Sequence, residues 1–140
     1  CCPVIAHEMD AVFLERGDSE VTAASWYGTK FYPCPVDRRL SGTRQTLMLG
    51  ERSITALHIP GHSPGSLAFL TESEGQTVLF AQDVHGPLDP RLRSNRADYR
   101  ASLERMLALE ADILCEGHYG IFRGKVAVAD FIRSFLDETH

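Results

Sequence analysis

Apolar residues recur along this chain in two rhythms, and each rhythm predicts its own kind of element. Short apolar runs bounded by glycine, proline or charged turn residues predict strands at 3–6, 46–49, 53–59, 67–71, 77–81 and 113–115. Between 8 and 16, Met9, Val12 and Phe13 recur at helical spacing and stop at Gly17, a common helix end. Tyr99, Leu103, Met106 and Leu107 predict a second helix, opened by Asn95 and Asp98 as a capping pair. A third, over 125–138, carries Val128, Phe131, Ile132, Phe135 and Leu136. The stretch 25–35 follows neither rhythm, and its Trp26, Tyr27, Phe31 and Tyr32 are read as a cover over the core.

Several strands come first, then helix, short strand and helix. That order predicts an α/β fold, a mostly antiparallel or mixed sheet with helices on one face. The other face is either solvated, as antiparallel strands permit, or packed on a second sheet that these residues do not supply. A length of 140 residues suits one domain, and 44% apolar with 24% charged residues is a globular balance. No run approaches the roughly 18 apolar residues of a membrane span, so no membrane partner is expected. Net charge is −5, and the one basic cluster, Arg91, Arg93, Arg96 and Arg100, is interspersed with Asp89 and Asp98. It reads as a solvated loop entering a helix, and no nucleic-acid partner is expected. Cys1, Cys2, Cys34 and Cys115 form no CxxC pair, which fits reduced thiols in a cytoplasmic protein. Cys115 closes an apolar run and reads as an inert buried thiol.

Three polar groups stand where apolar strands end: His62, Asp83 and His118. Glycines or prolines bracket each, so the side chains sit on short, constrained loops. Two imidazoles and a carboxylate are a ligand set that zinc accepts, provided the three strands end on one edge. Against this, a single loop histidine is more often a hydrogen-bonding residue than a ligand, and Asp83 equally suits a turn cap through 84–86. His7 and His58 read as structural. His85 lies two residues from Asp83 and suits a group behind the ligands or facing substrate. Ser63 and Ser66 lack the Gly-x-Ser-x-Gly elbow of a serine hydrolase, and no phosphate-binding glycine pattern is present.

The segment His58-Ile59-Pro60-Gly61-His62-Ser63-Pro64-Gly65-Ser66 resembles the Pro-Gly-His-Ser/Thr-Pro-Gly metal loop of the metallo-β-lactamase superfamily. Val78-Leu79-Phe80-Ala81-Gln82-Asp83 is similar to the strand ending in that family's bridging aspartate, with Gln82 where glycine is frequent. Ile113 through Gly120 resembles the strand and Gly-His-x-Gly segment that supplies its last histidine, and the spacings of 21 and 35 residues between the three positions fit. The resemblance implies half of a four-layer αβ/βα sandwich. His62 would ligate a first ion, Asp83 would bridge two and act in catalysis, and His118 would ligate the second. His85, Tyr119 and Ser63 would line the substrate pocket or stand behind the ligands.

An aspartate at the bridging position resembles the glyoxalase II-like and lactonase-like branches. It implies one or two ions (zinc, or iron or manganese) activating water against an ester, thioester or lactone carbonyl of a small molecule. A phosphodiesterase remains the alternative chemistry, and a non-catalytic interaction fragment the alternative class. The family's first motif, His-x-His-x-Asp-His, does not occur in these 140 residues. The expectation is therefore that residues 1–140 are the C-terminal portion of the domain. On their own they would be inactive, and they would pair either with the missing N-terminal half or with a second copy.

Overall fold

The computed structural model describes residues 2–137. β1 (Ile5–His7) runs into α1 (Glu8–Arg16), which stops at Gly17 with φ 69°. A 3-10 turn over 24–27 follows, then β2 (Arg38–Leu40), which pairs in parallel with β1. The remaining strands are β3 (Arg44–Leu49), β4 (Arg52–His58), β5 (Leu67–Ser73) and β6 (Gln76–Ala81). After them come α2 (Arg96–Leu107), β7 (Ile113–Glu116), β8 (Gly120–Arg123) and α3 (Lys125–Asp137). β3 to β8 form one sheet in sequence order, antiparallel throughout except for the parallel pair β6–β7. α2 makes the crossover that a parallel pair needs.

Strand alternation sorts the sheet into two unlike faces. Leu70, Leu79, Leu114 and Phe122 are register neighbours across β5 to β8. They pack with Leu103, Met106, Val128 and Ile132 of α2 and α3 into the core. The opposite row is Ala56, Phe69, Phe80, Cys115 and Ile121. At its β4 end, β1 and α1 come close enough for His7 to stack on His58, and Ala56 there is buried. Toward β8 that face is open, with Phe80 46% and Ile121 60% exposed. The expected helical cover of one face is present in α2 and α3, and the other face is open except where β1 and α1 lie beside β4.

Some readings needed correction. The short strands 38–40 and 120–123 went unrecognised, because each is held by pairing to a neighbour rather than by any apolar rhythm of its own. The aromatic stretch covers no core, since Tyr27 and Tyr32 are largely exposed and only Phe31 turns toward a cavity. Cys115 is half-buried on the open face, not enclosed, and Cys2 and Cys34 are likewise free thiols. Arg91 pairs with Asp89 and lies over the Trp26 ring at 4.8 Å, consistent with a solvated loop. Cys1 and Glu138, the expected end of the last helix, lie outside the described residues. Among the described residues no helix is long and apolar enough to cross a membrane.

Candidate metal centre

Three strand ends meet at one edge of the sheet: β4 runs into the His62 loop, β6 into Asp83, and β7 into His118. The 59–66 loop is held by hydrogen bonds to elements on both sides. Ser102 Oγ donates to the Pro60 carbonyl (2.7 Å), the Asn95 amide to Gly61 (2.8 Å), and Ser94 Oγ to His62 (2.6 Å). His58 Nε2–H donates to the Pro64 carbonyl at 2.8 Å. From the other side, Asp10 of α1 accepts from Ser63 Oγ (2.6 Å) and from the Gly65 amide (2.7 Å). Gly61 adopts φ 138°, and a Cβ there would fall 2.2 Å from Tyr99 Cα, so only glycine lets the loop lie on α2.

Asp83 itself sits at φ 47°, an uncommon conformation for a non-glycine residue that aspartate tolerates better than most. Its carbonyl, not its side chain, closes the turn by accepting from the Gly86 amide at 3.0 Å. The carboxylate is left to face two rings. Oδ2 lies 3.4 Å from His62 Nε2, and Oδ1 lies 2.9 Å from His118 Nε2. His62 Nδ1–H donates to the Pro87 carbonyl at 2.8 Å, which leaves Nε2 with its lone pair toward Asp83.

Glu116, which the sequence reading passed over, is the buried charge of this edge. Its Oε1 accepts from His85 Nδ1 at 2.8 Å, and its Oε2 accepts the amides of His118 (2.7 Å) and Tyr119 (2.8 Å). Burial pushes the Glu116 carboxyl up. The His85 hydrogen bond, the two amides and the charge of His85 together outweigh burial and hold it below the usual glutamate range. Its signal was legible in principle. Period-two alternation sets Glu116 on the same face as Leu114, so a charge there had to be inward and partnered.

The anticipated site residues separate into three groups. His62, Asp83 and His118 come together, and Asp83, His85 and His118 also form a cluster whose ligand atoms lie within 4.8 Å of one another. Tyr119 is largely exposed beside His85, with ring centroids 5.0 Å apart. Ser63 is buried and bonded to Asp10, so it holds the loop. Next to His62 and Asp83 lies a cavity of about 370 Å³ walled by Phe13, Leu14, Val21 and Phe31. A shallower groove on the other side of Asp83 runs along Phe69, Phe80 and Cys115 to His118.

The donor set suits a borderline-soft cation. Tetrahedral zinc with bonds of about 2.0–2.1 Å separates its ligand atoms by roughly 3.3 Å. The two imidazole–carboxylate distances of 3.4 and 2.9 Å are near that spacing.

No family model matches the chain. It is 31% identical over 140 aligned residues to the acyl-coenzyme A thioesterase MBLAC2 of Gallus gallus, covering 85% of this chain and 50% of that protein. The Homo sapiens protein of the same name gives 31% identity with the same coverage. The chain thus spans about half the length of the curated relatives it matches. Among solved structures, a Cronobacter sakazakii metallo-β-lactamase superposes with a TM-score of 0.74 at 22% identity, over 98% of this chain and 61% of that one. The class B3 di-zinc metallo-β-lactamase LRA-12 from an Alaskan soil metagenome gives 0.65 at 26% identity, over 99% and 59%. Likeness in sequence and likeness in fold converge on the metallo-β-lactamase superfamily, whose fold the chain shares.

Proposed function

We propose that this chain carries part of the metal site of a metal-dependent hydrolase, with His62, Asp83 and His118 as ligands. The observation that carries the reading is the Asp83 carboxylate, with one oxygen turned to each imidazole Nε2. In that arrangement the carboxylate would hold metal together with both imidazoles. A divalent ion there supplies a water of lowered pKa at neutral pH and polarisation of the substrate carbonyl. The chain's own residues orient that chemistry. The Pro87 carbonyl sets the His62 tautomer, and Glu116 fixes the strand end that presents His118.

The substrate class we favour is an acyl thioester or ester. The part of the 370 Å³ cavity formed by Phe13, Leu14, Val21 and Phe31, as distinct from its polar lining of Asp10, Ser63 and Gln82, suits an acyl chain, and the curated relatives are named acyl-coenzyme A thioesterases. Zinc is the favoured metal, with iron or manganese as alternatives. We further propose that residues 1–140 are the C-terminal portion of the domain, with the remaining ligands on a preceding segment that packs on the open Phe80–Ile121 face. On this reading the chain alone hydrolyses little or nothing.

Metal content by elemental analysis, on protein purified without chelator, tests the site. Wild type is expected to hold metal, and Asp83→Asn and His118→Ala to lose it. Thiol release from acyl-coenzyme A, measured with the N-terminal half supplied, should fall in parallel. Metal content unchanged in Asp83→Asn would sink the assignment. A second reading, a non-catalytic fragment that works through its open sheet face, is favoured by the exposure of Phe80 and Ile121. Wild type without metal would favour it.

A further inference from the structure

The family ligand set leaves His85 unused, yet this imidazole is among the most constrained of the cluster. Its Nδ1 is committed to Glu116 Oε1 at 2.8 Å, and the Glu116 side chain is wholly buried. Because a carboxylate only accepts, Nδ1 must carry a proton, and in the neutral ring that a metal ion requires Nε2 keeps its lone pair. A carboxylate behind one ring nitrogen, with the other nitrogen free, is the arrangement that orients histidines for metals. The ring also has company. Ligand atoms of Asp83, His85 and His118 lie within 4.8 Å of one another, and the His85 and His118 rings meet edge to face with centroids 4.9 Å apart.

We propose that His85 is a third metal ligand, completing with Asp83 and His118 a one-ion site whose ring orientation is set by Glu116. The proposal rests on the reading of Asp83 and His118 as ligands, and adds a residue outside the family's set. Two imidazoles and one carboxylate leave a fourth position open, the composition of catalytic zinc centres. Closing from a spread of no more than 4.8 Å to the roughly 3.3 Å between ligands of a tetrahedral ion takes a shift of at most about 1.5 Å. His118 supplies that movement, since its side chain is 62% exposed while His85 is pinned at 16%.

Glu116 has a second consequence for the same ion. Its Oε2 holds the His118 and Tyr119 amides while Oε1 holds His85, so one buried carboxylate ties both proposed imidazole ligands to the end of β7. In Glu116→Gln the amide oxygen keeps the two backbone donors, and the NH₂ turns to His85 Nδ1. The ring proton then moves to Nε2 and blocks the nitrogen offered to the ion. Glu116 is therefore a positioning residue, and its effect passes through the His85 tautomer.

The test is a cobalt(II) titration of the 140-residue chain, read by ligand-field absorption. It is paired with nitrogen-15 NMR of the histidine tautomers in the metal-free protein. One cobalt(II) is expected in wild type, with binding weakened at least 100-fold in His85→Ala and about 10–100-fold in Glu116→Gln. Met48→Ala, an exposed change on β3 away from the site, should bind within about threefold of wild type. His85 should be the Nδ1–H tautomer in wild type and Nε2–H in Glu116→Gln, a change that a merely destabilised fold would not produce. Thermal melts check that each variant folds. Cobalt lost in Asp83→Asn and His62→Ala but retained in His85→Ala would overturn this proposal and leave the metal-hydrolase reading intact. No cobalt in wild type would overturn both for this chain, and an unchanged tautomer in Glu116→Gln would overturn the role of Glu116.

Discussion

Gly61→Ala should be among the most damaging single-methyl changes in the molecule, and its cost can be worked from geometry. The added Cβ would lie 2.2, 2.4 and 2.5 Å from Tyr99 Cα, N and Cβ, where ordinary contact begins near 3.4 Å. Relief takes a separation of about 1.2 Å between the loop and α2. That would stretch the Asn95 amide to Gly61 bond (2.8 Å) and the Ser102 hydroxyl to Pro60 bond (2.7 Å) beyond hydrogen-bonding range. Overpacking costs about 1–3 kcal/mol and each lost bond about 1 kcal/mol, so the total is about 3–5 kcal/mol. At about 3–4 °C per kcal/mol for a chain of this size, Tm should fall by roughly 10–20 °C.

Gly75→Ala is the control, because Gly75 has φ 74° and no atom within 4 Å of its Cβ position. It carries the left-handed backbone penalty alone, about 1–2 kcal/mol. Urea unfolding and thermal melts followed by circular dichroism read both variants. If Gly61→Ala melts within about 3 °C of Gly75→Ala, the loop does not depend on its seat against Tyr99 and the reasoning fails.

Asp10→Ala removes the acceptor for Ser63 Oγ and the buried Gly65 amide, and should cost about 2–4 kcal/mol in urea unfolding. A loss under about 0.5 kcal/mol would mean α1 does not hold the loop. Leu114→Ala empties a fully buried position beneath α2 and α3 and should cost about 2–5 kcal/mol by the same measurement. Burial, then the neighbouring His58, lowers the His7 pKa below 6.5, against the opposing pull of the Gly42 carbonyl, Glu8 and Asp10. The unfolded chain therefore binds the proton more readily. The stability His7 contributes is present above about pH 6.5 and is lost as pH falls through its folded value. His7→Asn keeps an acceptor for the Met9 amide but cannot titrate, so urea midpoints at pH 7.5 and 5.5 should differ less than in wild type. Equal slopes in the two proteins would contradict this.

What was legible in the sequence follows physical range. Leu79 and Leu114 announce buried strands because each lies inside a short apolar run whose turn-forming bounds are a few residues away. Asn95 announces a helix start because its side chain reaches only as far as Asp98. His62, Asp83 and His118 stood out because each interrupts an apolar run beside glycine or proline. Asp10 gave no such signal, since its partners Ser63 and Gly65 lie more than fifty residues away and only the fold brings them together. His7 and His58 read correctly as structural one at a time. Their stacking at 3.8 Å is a tertiary fact that neither local context contains. β8 was missed for a related reason: four residues with an exposed isoleucine form a strand only because β7 offers a pairing edge.

The alternation of the sheet also says where the molecule tolerates being cut open. The loops after β4, β6 and β7 share one edge with the metal-site residues, so the β3–β4 and β5–β6 turns fall at the opposite edge. Gly50 and Gly75 at those turns have open space around them and positive φ. A fluorescent reporter, affinity tag or permuted terminus grafted at either turn would sit a full strand length from Asp83. Engineering there would leave the chemistry of the far edge to be studied undisturbed.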